Sequence, residues 1–184
     1  MKSFSDEELV KLTLAGKQEA FGELVNRYSK QIYSLAYRLT NNVADAQDLG
    51  QEAFVKIYQN LSKYEQDREF FPWMYKVATN VFYSILRRNS IQTVSTDEVA
   101  ELEEREAEWE VQPEKVAEVK ADRKILQQAL AELPEKYRVP IVLRYLEDLS
   151  YQQIAEMMEL PVSTIETRLY RAKGLLQKII GDKK

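Results

Sequence analysis

Residues 150–173, SYQQIAEMMELPVSTIETRLYRAK, decide the fold. Ser150 is a residue type that starts helices, and Ile154, Ala155 and Met158 then share one face of a short helix over 151–158. Glu159-Leu160-Pro161-Val162 makes a tight turn, and Ser163-Thr164-Ile165-Glu166 has the spacing of a capping box. The helix it opens turns Ile165, Leu169, Ala172, Leu176 and Ile179 inward. A short helix, a four-residue turn and a longer helix form a helix-turn-helix, in which the small Ala155 permits close approach and Ile165 fills the crossing. Thr164, Thr167, Arg168, Tyr170, Arg171 and Lys173 remain outside, hydroxyls and cations able to reach phosphates and base edges in a major groove. The bland alternative is a helical hairpin that binds nothing.

Just upstream, Ile125, Ala129, Leu130 and Leu133 line one helix, stopped by Pro134, and Tyr137, Ile141, Val142, Tyr145 and Leu146 belong to the next. The N-terminal part is helical too. Ser5-Asp6-Glu7-Glu8 is a capping box, and Gly16 closes the short helix it opens. Phe21, Leu24, Val25, Tyr28, Ile32, Leu35, Ala36 and Leu39 form one apolar stripe, broken at Asn41-Asn42. A third helix repeats the pattern with Ala46, Leu49, Ala53, Phe54, Ile57, Tyr58 and Leu61. Its other face gathers Asp45, Asp48, Gln51 and Glu52, either a solvated surface or a dock for a basic partner.

After a polar loop over 62–69, Pro72 suits the first position of a fourth helix. Met74, Val77, Ala78, Val81, Phe82 and Ile85 form its core stripe. Lys76, Asn80, Tyr83, Arg87 and Arg88 take the other side, Tyr75 the flank, and Tyr64, Phe70 and Phe71 come before. Aromatics among cations and amides suit single-stranded DNA, whose bases stack and whose backbone needs positive charge. The plainer reading is that Phe71 and Trp73 close the bundle.

The 184 residues carry a formal net charge of −4, which hides three unequal blocks. Residues 1–88 hold 12 basic and 11 acidic side chains, 89–122 hold 3 and 11, and 123–184 hold 11 and 8. The middle block has no sustained apolar stripe and reads as a solvated acidic linker, with Trp109 as a docking point. No Cys and no His occur, which removes thiol nucleophiles, Ser–His triads, disulfides and Cys/His zinc sites. No catalytic residue, metal site or cofactor is expected, and the absence of a long apolar run or a signal-peptide start predicts a cytoplasmic chain.

Two long stretches carry a resemblance. Residues 20–64 with 68–88, and residues 130–176, are similar to regions two and four of the extracytoplasmic-function (ECF) sigma factors, the small two-domain class of bacterial sigma factors. The runs that carry it are DLGQE at 48–52, PWMYKVATN at 72–80, and LSYQQIA at 149–155 followed by PVSTI at 161–165, in the family's order. The resemblance implies an all-α fold of two small helical domains, 1–88 and 123–184, joined by the acidic linker 89–122, which would thread toward the RNA exit path of RNA polymerase. It assigns Asp45, Asp48, Gln51 and Glu52 to the clamp helices of the polymerase largest subunit, the C-terminal domain sitting at the flap of the second-largest. Tyr64, Arg68, Phe70, Phe71, Lys76, Asn80, Tyr83, Arg87 and Arg88 would open the minus-ten promoter element, one base flipping into a loop pocket. Arg144, Tyr151, Gln152, Ser163, Thr164, Glu166, Thr167, Arg168, Tyr170, Arg171 and Lys173 would contact the minus-thirty-five element.

Two positions depart from the family's pattern. Glu166 stands where Lys or Arg is usual, removing one phosphate or guanine contact and leaving a group that can accept from a cytosine amine, and Ser84 stands where Asp is common. Relatives are usually held inactive by a membrane-anchored anti-sigma factor, so such a partner is implied, with retention at the inner membrane face, and no small-molecule substrate. The rival reading is a stand-alone helix-turn-helix regulator with a dimerising or sensing bundle, to which the acidic face and the aromatic–amide cluster would be superfluous. A carboxylate enzyme finds no paired site in the sequence.

Overall fold

The computed structural model describes residues 4–65, 67–92 and 124–181. Helix α1 (Asp6–Leu14) starts on the expected capping box: the Glu8 amide donates to Ser5 Oγ at 3.2 Å and the Ser5 amide to Glu8 Oε2 at 2.8 Å. It ends at Gly16, whose φ of +90° is easy only without a Cβ. Helix α2 (Gln18–Thr40) buries Leu24, Ile32, Leu35, Ala36 and Leu39. Asp6 binds α1 to it through Arg27 and the Tyr28 hydroxyl.

The two asparagines after α2 divide the labour of the break. Asn41 takes the left-handed conformation that terminates one helix, and the Asn42 side chain accepts from the Asp45 amide at 3.1 Å to start α3 (Val43–Asn60). Ala46, Gly50 and Ala53 are buried beside Leu49 and Ile57, so α3 seats closely on α2. A 3₁₀ turn (Leu61–Lys63) leads to a loop and then α4 (Phe70–Gln92). The helix begins at Phe70, so Pro72 is its third residue rather than its first. An N–H there would still lack an intrahelical partner, and proline is tolerated for the same reason. Phe70, Met74, Ala78 and Phe82 are buried as its core stripe, each large side chain contributing about 1.5–3 kcal/mol.

In the C-terminal part, α5 (124–132) buries Ala129 and Leu130, and Leu133 follows into the core before Pro134. Helix α6 (Glu135–Tyr145) buries Val139 to Leu143 in succession, tolerating Pro140 within it. Tyr145 and Leu146, expected on the inner face, are exposed. Helix α7 (Tyr151–Met158) starts on a full capping box, Ser150 with Gln153, and stops at Glu159 in the left-handed conformation. Helix α8 (Val162–Gly181) starts one residue before the expected capping box. Pro161 supplies the first carbonyl, accepting from the Thr164 and Ile165 amides, and Ser163 sits inside the first turn instead of ahead of it. Ala155 and Ile165 are buried at the crossing of α7 and α8, as the helix-turn-helix requires.

The two helical groups touch. Helix α4 packs on α6 and α7, α2 meets α6, and the buried side chains of both groups join in one continuous cluster. The acidic segment over 93–122 and its Trp109 lie outside the described residues.

Candidate nucleic-acid and polymerase interfaces

The elements hold three faces. On α3, Asp45, Asp48, Gln51 and Glu52 are all exposed, at steps of three, three and one along the same side of the helix. Val55 and Tyr58 continue this surface as exposed apolar groups, 49% and 46% accessible, with Tyr58 braced edge-on against Phe21 at 5.0 Å between ring centroids. Carboxylates beside apolar side chains suit a protein partner better than a polyanion, which the charge repels and the apolar rim does not reward.

The second face lies on α4 and the loop before it. Here the structure corrects two expectations. Tyr64 and Phe70 are 5% and 1% exposed, packed edge-to-face on each other at 5.4 Å, and both belong to the core instead of to a stacking surface. The Tyr64 hydroxyl donates to the Arg68 carbonyl and pins the loop to the bundle. Trp73 also packs on Tyr64, at 5.4 Å, and is half-buried. Phe71 is the aromatic left outside, 38% exposed, flanked by Tyr28 and Tyr75 at 5.5 and 5.4 Å. Arg68 is exposed and pairs with Glu65 at 2.7 Å. Lys76, Asn80 and Tyr83 are half-buried along one side of α4, and Arg87 and Arg88 are exposed near its end. Tyr75, expected on the flank, is buried at the contact with α7, where burial and then the Glu147 carboxylate push its pKa above the ordinary phenol value.

The third face is α8. Ser163, Glu166, Thr167, Tyr170, Arg171 and Lys173 are exposed and Thr164 and Arg168 half-buried, with Tyr170 81% accessible. Thr167 bonds the Ser163 carbonyl at 2.9 Å, which fixes its methyl and hydroxyl on the helix surface. An open cleft of about 330 Å³ lies between α6 and the start of α8, lined by Lys136, Tyr137, Ser163, Thr164, Thr167, Arg168 and Arg171. Arg171 beside the Tyr137 hydroxyl lowers its pKa, and Lys173 lies over the Tyr145 ring at 5.1 Å. Cations and hydroxyl side chains converging at a helix start form a cradle for an anion such as a backbone phosphate.

Lys136 carries no signal in the sequence, and the apolar spacing of α6 points Tyr137 inward. Their part in this cleft arises only from the way α6 crosses α8. Gln152, exposed on α7, reaches Glu156 at 3.2 Å. Arg144 faces the turn before α7 instead of open solvent. It donates to the Leu149 carbonyl at 3.0 Å, lies 3.6 Å from Asp148 and stacks over Tyr151 at 5.7 Å, and it thereby holds the turn that positions α7.

The family model described as "Sigma-70 region 2" matches residues 24–91, and "Sigma-70, region 4" matches residues 123–176. The chain is 34% identical over 179 residues to the ECF RNA polymerase sigma factor SigW of Bacillus subtilis, covering 94% of this chain and 95% of that one. It is also 34% identical to the ECF RNA polymerase sigma-E factor of Escherichia coli K12, with 94% and 92% covered. Among solved structures, CnrH in complex with the cytosolic domain of CnrY superposes with a TM-score of 0.62 at 23% identity, over 97% of this chain and 99% of that one. RpoE in complex with the anti-sigma factor NepR from Bartonella quintana gives 0.64 at 20%, over 89% and 98%. With region-two and region-four matches covering most of its length and relatives aligned over nearly the whole chain, it belongs to the extracytoplasmic-function sigma factors of the sigma-70 family.

Proposed function

We propose that this chain is an alternative transcription initiation factor that joins core RNA polymerase, opens the minus-ten element and holds the minus-thirty-five element of its promoters. The observation that carries the reading is the pairing of opposite faces: carboxylates with an apolar rim on α3, cations and hydroxyls on α8. Polymerase does the chemistry, and this chain supplies no catalytic group and needs no cofactor.

Asp48, Gln51 and Glu52, with Asp45 beside them, dock on the clamp helices of the largest subunit. Phe71 takes over the stacking role that Phe70 is too buried to play, while Lys76, Asn80, Tyr83, Arg87 and Arg88 follow the displaced strand. Thr167, Tyr170, Arg171 and Lys173 enter the minus-thirty-five groove, and the cleft over Lys136 and Tyr137 clamps a phosphate at its edge. Residues 1–88 and 123–184 act as the two working domains, with 89–122 between them. Two of the structural neighbours are described as complexes with partner proteins, one of them named an anti-sigma factor, and we assign this cytoplasmic chain a partner of that kind.

The test is reconstitution with purified core polymerase and a promoter library, read by transcript start sites. The expected result is a defined set of starts absent with core alone. A chain that neither binds core nor changes where it starts would defeat the proposal.

A further inference from the structure

Tyr145, the last residue of α6, is 50% exposed although the apolar spacing of the helix points it inward. Its ring has charged neighbours. The Lys173 ammonium of α8 lies 5.1 Å from the ring centre, and the Arg144 guanidinium lies 5.9 Å from it. Arg144 is also 5.7 Å from the ring centre of Tyr151, the first residue of α7, so aromatic and cation alternate across three helices. The order Tyr151, Arg144, Tyr145, Lys173 is a chain of restraint. The Leu149 carbonyl fixes Arg144 at 3.0 Å, the Tyr145 ring rests against Arg144, and Lys173 rests against the ring.

Two features of this chain point to an anion. A lysine amine on its flexible four-carbon stem ordinarily sweeps through water and has to be ordered by whatever it binds. Here the ring orders it beforehand, and a hydrogen bond from the ammonium to the Tyr145 hydroxyl raises the Lys173 pKa and keeps the group charged. Arg144 opposes that rise by repulsion, because two cations share one ring. An anion set against them relieves the repulsion. Lys173 lies one turn beyond Tyr170 on the exposed side of α8, at the edge of the surface assigned above to the minus-thirty-five groove. Resting on that assignment, we propose that Tyr145 is a positioning residue whose ring holds the Lys173 ammonium at the rim of the groove, aimed at one backbone phosphate of the duplex. The contact fixes register and carries no base preference.

The test compares Tyr145→Leu, which keeps an apolar side chain and removes the aromatic face, with Tyr145→Phe, which keeps the face. Each variant is measured in the polymerase complex, by fluorescence anisotropy of a minus-thirty-five duplex over a salt series. Tyr145→Leu should weaken binding about threefold, alike on every duplex sequence, and lower the magnitude of the log–log salt slope by at most the value of about 1 expected for Lys173→Ala. Tyr145→Phe should recover most of both. Adding Tyr145→Leu to Lys173→Ala should cost nothing further. In the free chain, the protons beside the Lys173 amine should carry an upfield ring-current shift in the NMR spectrum, kept in Tyr145→Phe and lost in Tyr145→Leu. Equal losses in the two variants, additive losses in the double variant, an unchanged salt slope or no ring-current shift would each overturn the positioning role. A wild-type complex that holds no minus-thirty-five duplex would sink the sigma-factor reading and the phosphate contact with it. A wild type that binds and starts transcription, with Tyr145→Leu its equal, would sink the positioning role alone.

Discussion

Helices α3 and α8 make an instructive pair. Both are long, both bury one stripe of small and branched apolar residues, and both leave the opposite side in water. They differ in what that side carries: Asp45, Asp48 and Glu52 with Val55 and Tyr58 on one, Thr167, Tyr170, Arg171 and Lys173 on the other. The inward stripes are nearly interchangeable and say only that a bundle forms. The outward sets differ in sign and polarity, and on the function proposed above they would separate a protein-docking helix from a DNA-reading one. The duplex repels the first and attracts the second.

The strongest test of this contrast reverses the first face. Asp48→Lys with Glu52→Lys should weaken association with core polymerase at least a hundredfold, measured by fluorescence anisotropy of labelled chain, while helix content by circular dichroism stays unchanged. Free-chain affinity for nonspecific duplex should rise in the same variant. Any loss of DNA binding would mean the two faces are not independent.

The second test neutralises α8. Arg171→Ala with Lys173→Ala should cost the polymerase complex about tenfold in binding to minus-thirty-five DNA and lower the magnitude of the log–log salt slope by about 2, leaving core association intact. An unchanged slope would show that neither cation reaches a phosphate.

Most of the fold was legible because its signals are local. Capping residues Ser5 and Ser150 act within three residues of themselves, and apolar stripes repeat every three or four. What sequence pattern could not resolve was competition for burial. Phe70 and Phe71 are identical neighbours, and only the packing of Tyr64, Trp73 and Tyr28 around them decides that the first is core and the second surface. Ser163 misleads in a related way. A capping box is a pattern that another group, Pro161, can pre-empt. The seam between the two helical groups is invisible in the sequence because Gln127 and Arg138 find their acceptors some 90–99 residues earlier.

Two smaller tests sharpen the comparison. Ser150→Ala removes the side-chain cap of α7 and should lower stability by about 1 kcal/mol in denaturant titration, with the α3 face and core binding unaffected. A loss well above about 2 kcal/mol would mean that Ser150 supports more than its own helix. Glu166→Ala should leave overall affinity nearly unchanged and relax preference at one base pair, read from a randomised minus-thirty-five library. An unaltered preference would remove Glu166 from base readout.

The bond from the Tyr64 hydroxyl to the Arg68 carbonyl would bear on the proposed opening of the minus-ten element. A free loop loses about 1–2 kcal/mol of backbone entropy for each residue it fixes. Here, side-chain and backbone atoms four positions apart are already joined, with the ring wedged between Phe70 and Trp73. That share of the ordering happens when the protein folds. On the function proposed above, an unstacked nucleotide arriving beside Phe71 would meet side chains already held in place, and more of its contact energy would remain to offset the broken base pair.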